Sequence, residues 1–194
     1  MRHFISALLL MCSSLSFAVS PATTAHPQVV LHTNQGDITL ELYPDKAPVS
    51  VANFLQYAQS GFYDKTIFHR VVKRFVIQGG GFDSQLNEKA NGKPIVNESG
   101  NGLHNDRWTV AMARTSDPDS ATSQFYINMR MNGSLDAKYG KPGYAVFGKV
   151  IDGFHVVQDI NLKPTQNRGG PFAEMPIELM FIKSVTVKTA TAKK

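Results

Sequence analysis

The sequence predicts a mainly β domain, a closed eight-stranded antiparallel barrel capped by two α-helices. About eight short runs rich in β-branched and aromatic residues are separated by clusters of Gly, Pro, Asn and Ser. Two stretches have the spacing of an amphipathic helix, and strands do not alternate with helices as they do around a parallel sheet. A length of 194 residues suits one such domain. Closure of the sheet would also remove its unpaired edges.

The first residues have the pattern of a cleavable signal peptide, which we assign to residues 1–25. Arg2 supplies a positive start, and residues 4–17 form an apolar run too short to cross a bilayer as a helix. Cleavage after Ala18 or after Ala25 fits the small residues found there, and both sites stay open. We therefore expect an exported protein without a stable membrane anchor.

The single cysteine of the chain, Cys12, lies inside this leader. The mature protein should contain no thiol, which excludes disulfides, thiolate catalysis and cysteine-based zinc sites. Met11 is bulkier than the small residue that precedes a lipoprotein cysteine, so lipidation is disfavoured. The folded domain is expected to span residues 26–188, and residues 189–194 form a short basic tail.

Residues 29–43 predict a β-hairpin. Two β-rich runs flank the Asn-Gln-Gly sequence of residues 34–36, which supplies the turn. In the second run Ile38, Leu40 and Leu42 alternate with polar residues, as expected for a strand with one face on a core.

The next segment changes to the period of a helix. Pro48 fits a first helical turn, and Val51, Phe54 and Ala58 recur at three- and four-residue spacing before Gly61 ends the pattern. This spacing predicts a helix of about three turns that packs on the sheet.

Residues 68–82 combine a strand-like apolar pattern with one arginine and three consecutive glycines. We predict a buried strand here that carries Arg70. The glycines at 79–81 mark a place where the backbone turns or closely approaches another group. Taken alone, the pattern favours an ordinary surface charge for Arg70, beside Lys73 and Arg74.

The remaining chain predicts further strands around a long loop. Residues 83–107 lose periodicity, which indicates a partly ordered loop with a short extended piece near residues 95–96. Strands are predicted over residues 109–113, 124–128, 144–150 and 179–187. A second helix is predicted after Gly153, with Phe154, Val157 and Ile160 on its buried side.

Several classes of chemistry lack their sequence patterns. The six histidines show no paired metal-ligand spacing, so no metal site is predicted. Ser123 is not in a G-x-S-x-G elbow, and the glycine run lacks the Lys-Ser/Thr of a phosphate loop, which disfavours a serine hydrolase and a nucleotide-binding protein. A net charge of +5, spread over leader, domain and tail, does not favour nucleic-acid binding.

Five motifs together resemble one family, the cyclophilin peptidyl-prolyl isomerases. They are FHRVV at 68–72, FVIQGGGF at 75–82, TVAMAR at 109–114, SQFYIN at 123–128 and YAVFGKV at 144–150. The likeness runs from about Val29 to Val187, with the motifs in the family's order. The long loop at 83–107 and Tyr144 look most like the exported bacterial members, in agreement with the leader, and this resemblance implies a periplasmic protein.

The resemblance implies a cyclophilin-like barrel that isomerises prolyl bonds in polypeptide substrates without a cofactor or a metal. The groove should lie on the outer face, because side chains fill the barrel. The implied catalytic residues are Arg70, Phe75, Gln78 and Gln124. The implied substrate-binding residues are Val76, Met112, Ala113, Arg114, Tyr126, Leu135 and Tyr144, with the backbone of Ala113 and Arg114 as a clamp on the substrate.

Several positions depart from the best-known eukaryotic members. Val76, Arg114, Tyr126 and Tyr144 replace methionine, asparagine, phenylalanine and histidine, and Ser134 stands where an aromatic ring is expected. Loss of that ring predicts weak binding of cyclosporin. The Tyr126 hydroxyl puts a polar atom in the wall of an apolar pocket, so we expect it to need a hydrogen-bond partner.

Two other functions stay open from the sequence. A periplasmic holdase or adaptor would use the same groove for binding alone, and a basic nucleic-acid binder would show salt-dependent affinity for oligonucleotides. We expect a monomer that binds proline-containing polypeptides and assists the folding of exported proteins.

Overall fold

The predicted hairpin opens the sheet in the computed structural model, which describes residues 26–188. The assigned leader (1–25) and basic tail (189–194) lie outside the described residues. Strands β1 (Gln28–Thr33) and β2 (Gly36–Leu42) pair antiparallel, with Leu31 opposite Ile38. Ile38, Leu40 and Leu42 have no exposed surface, as the alternation predicted.

Two helices pack against the sheet. Helix α1 (Pro48–Gln59) starts with proline in its first turn, where a missing N–H costs no hydrogen bond, and buries Val51, Phe54 and Ala58. Helix α2 (Phe154–Leu162) follows Gly153, which has a φ of 80° and lies so close to Asp37 that a side chain would clash with its carbonyl oxygen.

The buried face of α2 differs from the prediction at one position. Val156, Val157 and Ile160 are buried, whereas Phe154 is 39% exposed and packs edge-on against Trp108. Phe154 is the first residue of the helix, so the core lies beyond its reach.

The segment 68–82 contains two strands, where one was predicted. β3 (Arg70–Val72) and β4 (Val76–Gly79) form a tight hairpin that pairs Arg70 with Gln78. Arg74 in the turn has a φ of 59°, a left-handed conformation that glycine adopts more readily. The turn was not predicted because the sequence has an arginine there and lacks the glycine or proline that usually marks such a turn.

The later strands follow the predicted order. They are β5 (Thr109–Met112), β6 (Phe125–Asn128), β7 (Val146–Asp152) and, after α2, β10 (Ile182–Lys188). The sequence missed a small pair, β8 (Thr165–Gln166) and β9 (Met175–Pro176), which flanks a 3₁₀ turn at Gly170–Phe172. In the loop 83–107 the extended piece at Ile95 forms a bridge with Ala121.

The eight-stranded sheet is antiparallel and curls into a half-barrel. Its strand order is β10-β1-β2-β7-β5-β6-β4-β3. The two end strands do not pair in a ladder. The edges instead meet through one bridge between Ile67 and Phe181 and a few backbone bonds, such as that from the Ile182 N–H to the Thr66 carbonyl oxygen (2.8 Å). The prediction of a closed barrel therefore overstated how completely the sheet closes.

Alternating side chains separate two apolar clusters on opposite faces of the sheet. On β6 the side chains of Phe125 and Ile127 join the interior core, whereas Tyr126 between them joins a smaller outer cluster. The outer cluster also contains Val76 and Ala111. Because side chains fill the interior, the apolar surface that this sheet offers to a ligand is the outer cluster.

Within residues 26–188, neither helix has the length and apolar character that a bilayer crossing requires.

Candidate active site

One groove on the outer face brings together most of the predicted site residues. It has a volume of about 320 Å³. It is lined by Arg70, Phe75, Val76, Gln78, Ala113, Arg114, Tyr126, Leu135 and Tyr144. These residues come from β3, β4, the segment after β5, β6 and the loop before β7, so the fold assembles parts that lie far apart in the chain.

A line of polar side chains runs along one side of the groove. The Arg70 guanidinium donates from Nη1 to Oε1 of Gln78 (3.4 Å), and Gln78 donates from Nε2 to Oε1 of Gln124 (3.0 Å). Register explains the first contact, since Arg70 and Gln78 are paired across β3 and β4. Among residues 26–188, Arg70 forms no salt bridge, so most of its five N–H donors remain available to a ligand.

The glycine run makes room for this line. A side chain at Gly81 would place its Cβ 2.5 Å from Cγ of Gln124, and Gly80 has a φ of 84°. Both predicted roles of the run are present: a turn at Gly80 and a close approach at Gly81. Gln124 does not itself line the groove and is connected to it by its bond to Gln78.

The floor of the groove is an apolar pocket. Val76 and Tyr126 are buried, and Phe75 and Leu135 pack against them while keeping part of their surface exposed. The result is a small apolar recess beside a charged donor. A compact aliphatic ring fits such a recess by burying its apolar area.

The Tyr126 hydroxyl has the partner that its burial requires. It donates to Oδ1 of Asn105 at 2.7 Å. Burial, followed by the influence of the neighbouring Tyr144, raises the pKa of Tyr126 well above 10.0, so the hydroxyl keeps its proton at neutral pH. The polar atom points away from the groove into a hydrogen-bond network, and the ring presents an apolar wall.

That network consists of residues that the sequence did not single out. Asn105 also receives a bond from Asn128 (3.1 Å) and donates to Asp136 (3.0 Å). Asn132 donates both to Asn128 (2.7 Å) and to the carbonyl oxygen of Phe75 (3.0 Å). Buried amides therefore tie the two aromatic walls of the pocket to each other.

Arg114 and Tyr144 form the opposite end of the groove. The Arg114 guanidinium lies over the Tyr144 ring at 4.4 Å and donates to the carbonyl oxygens of Gly143 (3.1 Å), Pro142 (3.2 Å) and Thr115 (2.9 Å). These bonds hold the side chain against the loop, so it forms a wall of the groove.

The backbone at Ala113 and Arg114 has groups left for a ligand. The Ala113 N–H donates to the carbonyl oxygen of Gln124 (2.9 Å). Within the described residues, the Ala113 carbonyl oxygen and the Arg114 N–H have no hydrogen-bond partner. An acceptor and a donor on successive residues suit an extended peptide laid alongside.

Met112 lies elsewhere. Its side chain is 2% exposed and belongs to the interior core, because alternation along β5 turns it away from the outer face. The Met112 side chain therefore does not line the groove, and the predicted contact with substrate would have to come from the Met112 backbone.

His69 is buried directly behind Arg70. It packs edge-on against Phe82, and its Nδ1 has no partner among the described residues. Burial, with a further contribution from the Arg70 charge, lowers the pKa of His69 to about 4. The ring is neutral at pH 7 and does not compete with Arg70 for an anionic or lone-pair acceptor.

Fold and groove together place an apolar recess, the Arg70 guanidinium and unpaired backbone groups side by side, an arrangement suited to an extended peptide that carries a compact ring. In residues 26–188 there is no group of three or more His, Cys, Asp or Glu side chains placed to hold a metal ion.

Comparison with known proteins identifies the class. The profile of the family described as cyclophilin type peptidyl-prolyl cis-trans isomerase matches residues 28–187. A peptidyl-prolyl cis-trans isomerase of Acinetobacter baylyi is 48% identical over 89% of this chain and 93% of its own length. The isomerase B of Escherichia coli is 49% identical over 82% of this chain and 98% of its own. A crystal structure of a cyclophilin type isomerase from Cryptosporidium parvum superposes with a TM-score of 0.74 at 29% identity, covering 86% of this chain and 99% of that one.

The chain belongs to the cyclophilin family of peptidyl-prolyl cis-trans isomerases. The resemblance seen in five short motifs is confirmed over the whole domain, and the activity is rotation about the bond that precedes proline.

Proposed function

We propose that Arg70 accelerates prolyl rotation by stabilising the twisted amide, with no covalent step. Resonance gives the prolyl bond a barrier of about 18–20 kcal/mol. At mid-rotation the prolyl nitrogen becomes pyramidal and gains a lone pair that the planar amide lacks. A donor aimed at that nitrogen stabilises the transition state more than either ground state, and such an interaction is catalytic.

The free guanidinium of Arg70 beside the apolar pocket is the observation that carries this proposal. Phe75, Val76, Tyr126 and Leu135 hold the proline ring, and Gln78 orients the guanidinium through its 3.4 Å contact. The unpaired backbone groups of Ala113 and Arg114 hold the substrate chain on the other side. An acceleration of about 10⁵ requires about 7 kcal/mol, which a desolvated donor and a fixed substrate can supply together.

The wild-type protein distinguishes catalysis from binding alone. A short Xaa-Pro peptide is followed by exchange NMR, which reports the cis-trans rate and the bound fraction in one experiment. An isomerase raises the exchange rate at substoichiometric protein concentration. Peptide binding without faster exchange would instead identify a holdase or adaptor and would overturn the proposal.

The substrates we propose are exported polypeptides. The support is the leader, with Arg2 and the apolar run at 4–17, together with a family match that begins only at residue 28. Expression in a bacterium with a periplasm tests it. The periplasmic fraction should contain a chain beginning at Val19 or His26, whereas an intact N-terminus in the cytoplasmic fraction would contradict export.

Weak affinity for cyclosporin is proposed from Ser134, which is exposed and contributes nothing to the groove. Titration calorimetry tests it, with Ser134→Trp as the variant expected to gain affinity. A nanomolar dissociation constant for the wild type would show that the missing ring is not needed. We also expect a monomer, which sedimentation can check.

A further inference from the structure

A second hollow, larger than the prolyl groove, shares Phe75 with it. It has a volume of about 900 Å³. Its walls are the β3–β4 turn, Arg107 just before β5, the loop after β6 and the C-terminal half of α2. Phe75 lines both the hollow and the prolyl groove, so the two form one continuous surface.

The hollow is strongly basic. Lys73, Arg74, Arg107 and Arg130 all lie in its wall and are exposed, with Asp159 as the single carboxylate beside them. Within residues 26–188, none of these four cations forms a salt bridge. The wall therefore carries a net positive charge that no ion pair among the described residues neutralises, which favours an anionic partner.

Arg130 connects the charge of the hollow to the substrate site. Its guanidinium lies 5.9 Å from the centre of the Phe75 ring, and its Nε donates to Asn132 (3.1 Å). Asn132 in turn holds the Phe75 carbonyl oxygen. A chain that leaves the proline pocket across Phe75 therefore passes close to this cation.

The turn that carries Arg74 is held in an unfavourable conformation. Its φ of 59° is one that glycine would adopt at lower cost. The backbone is fixed by Asn161 of α2, which accepts from the Arg74 N–H (2.9 Å) and donates to the Val72 carbonyl oxygen (3.1 Å). An arginine at a glycine-type position, rigidly mounted at the rim of a basic hollow, points to a use for its charge.

We propose that this basic hollow binds acidic residues of the same polypeptide whose proline occupies the groove. The inference rests on the proposed groove, and it adds a substrate preference: acidic side chains within about five residues of the proline, which is about 17 Å of extended chain. Continuity through Phe75 favours a flanking segment of substrate over a separate nucleic acid, because both subsites lie along one path. Exposed Met131 in the same wall suits the aliphatic part of a glutamate side chain.

The test compares peptides that differ only in charge. Peptides with one Xaa-Pro bond carry two glutamates on either the N-terminal or the C-terminal side, and matched peptides carry two glutamines. In about 0.1 M salt, we expect kcat/KM for the glutamate peptide on one side to exceed that of its glutamine partner about threefold to tenfold. In about 1 M salt the preference should disappear, since the screening length falls to about 3 Å.

Two variants assign the preference to the hollow. Arg74→Gly removes a charge and relieves the left-handed strain, so it should melt no earlier than the wild type while losing part of the preference. Combining it with Arg107→Glu should abolish the preference. Lys183→Glu is the matched control, since Lys183 is exposed on β10 outside the hollow, and the preference should survive there.

Three outcomes would overturn the proposal: equal rates for glutamate and glutamine peptides, a preference that persists in the double variant, or an equal loss in Lys183→Glu. Tighter binding of a mixed-sequence oligonucleotide than of the glutamate peptides, lost in the double variant, would assign the hollow to nucleic acid instead. The glutamine peptides keep these outcomes separate from failure of the isomerase function, because they report prolyl rotation without the charges.

Discussion

The hydroxyl of Tyr126 can be removed without removing the wall of the pocket. In Tyr126→Phe the ring stays, and the 2.7 Å bond to Asn105 is lost. The Asn105 oxygen keeps its second donor, Asn128 at 3.1 Å, so no buried acceptor is left alone. The cost is then the net value of one hydrogen bond, about 1 kcal/mol, or about 2–4 °C in Tm for a chain of this size.

Activity should respond differently from stability. The hydroxyl faces away from the groove, so kcat/KM for a prolyl peptide should stay within about threefold of the wild-type value. Calorimetry and an isomerase assay on the same sample give both numbers. Tyr139→Phe is the matched control, because Tyr139 is 99% exposed and its hydroxyl should contribute nothing.

Substitution of Asn105, the partner of the Tyr126 hydroxyl, should destabilise the protein more than Tyr126→Phe does, because it leaves a buried group unpaired. Asn105→Ala leaves the buried Tyr126 hydroxyl without its acceptor and removes the side-chain bonds to Asp136 (3.0 Å) and to the Tyr144 carbonyl oxygen (3.3 Å), so it should cost about 2–4 kcal/mol. An unchanged Tm in Tyr126→Phe would refute the hydrogen bond. A tenfold or larger loss of kcat/KM there, with normal folding, would show that the hydroxyl takes part in the reaction.

Two further predictions concern the residues around Arg70. His69 has a pKa of about 4 in the folded protein and about 6.5 unfolded, so the unfolded state binds more protons between these values and stability should fall as pH drops from 6.5 to 4. His69 contributes at most about 3 kcal/mol to the free energy of unfolding in this way. Chemical denaturation between pH 4 and 6.5 should therefore show a shallower dependence of this free energy on pH in His69→Gln than in the wild type. Identical slopes in the two proteins would rule the effect out. Gly81→Ala should push Gln124 away from Gln78 and lower kcat/KM about tenfold. Gly100→Ala, whose added Cβ meets nothing within 4 Å, should leave the rate unchanged, and equal rates in both variants would remove Gln124 from the mechanism.

Local patterns predicted the elements well wherever one residue type decides the structure. The alternation of Ile38, Leu40 and Leu42 predicted β2, and Pro48 predicted the start of α1. The turn at Arg74 was missed because a non-glycine residue adopts the left-handed conformation there, and that conformation depends on a distant partner, Asn161.

Contacts between distant residues were beyond prediction from spacing. Tyr126 needed a partner, but Asn105 was one of many amides in a loop without periodicity, and only the fold brings it within 2.7 Å. The position of Met112 was predictable, since alternation from Ala111 and Ala113 places it on the other face. Extent of barrel closure depends on how the edge strands end, which no local pattern encodes.

Substitution of Arg70 tests the central claim most directly. Arg70→Ala and Arg70→Lys are compared with the wild type in kcat and KM on one prolyl tetrapeptide, with folding checked by circular dichroism. Loss of a donor used only in the transition state should lower kcat about 10²- to 10³-fold in Arg70→Ala and leave KM nearly unchanged. Arg70→Lys should recover only part of the rate, because an ammonium lacks the planar fork that Gln78 aligns. Full kcat in a correctly folded Arg70→Ala protein would contradict the role assigned to this guanidinium.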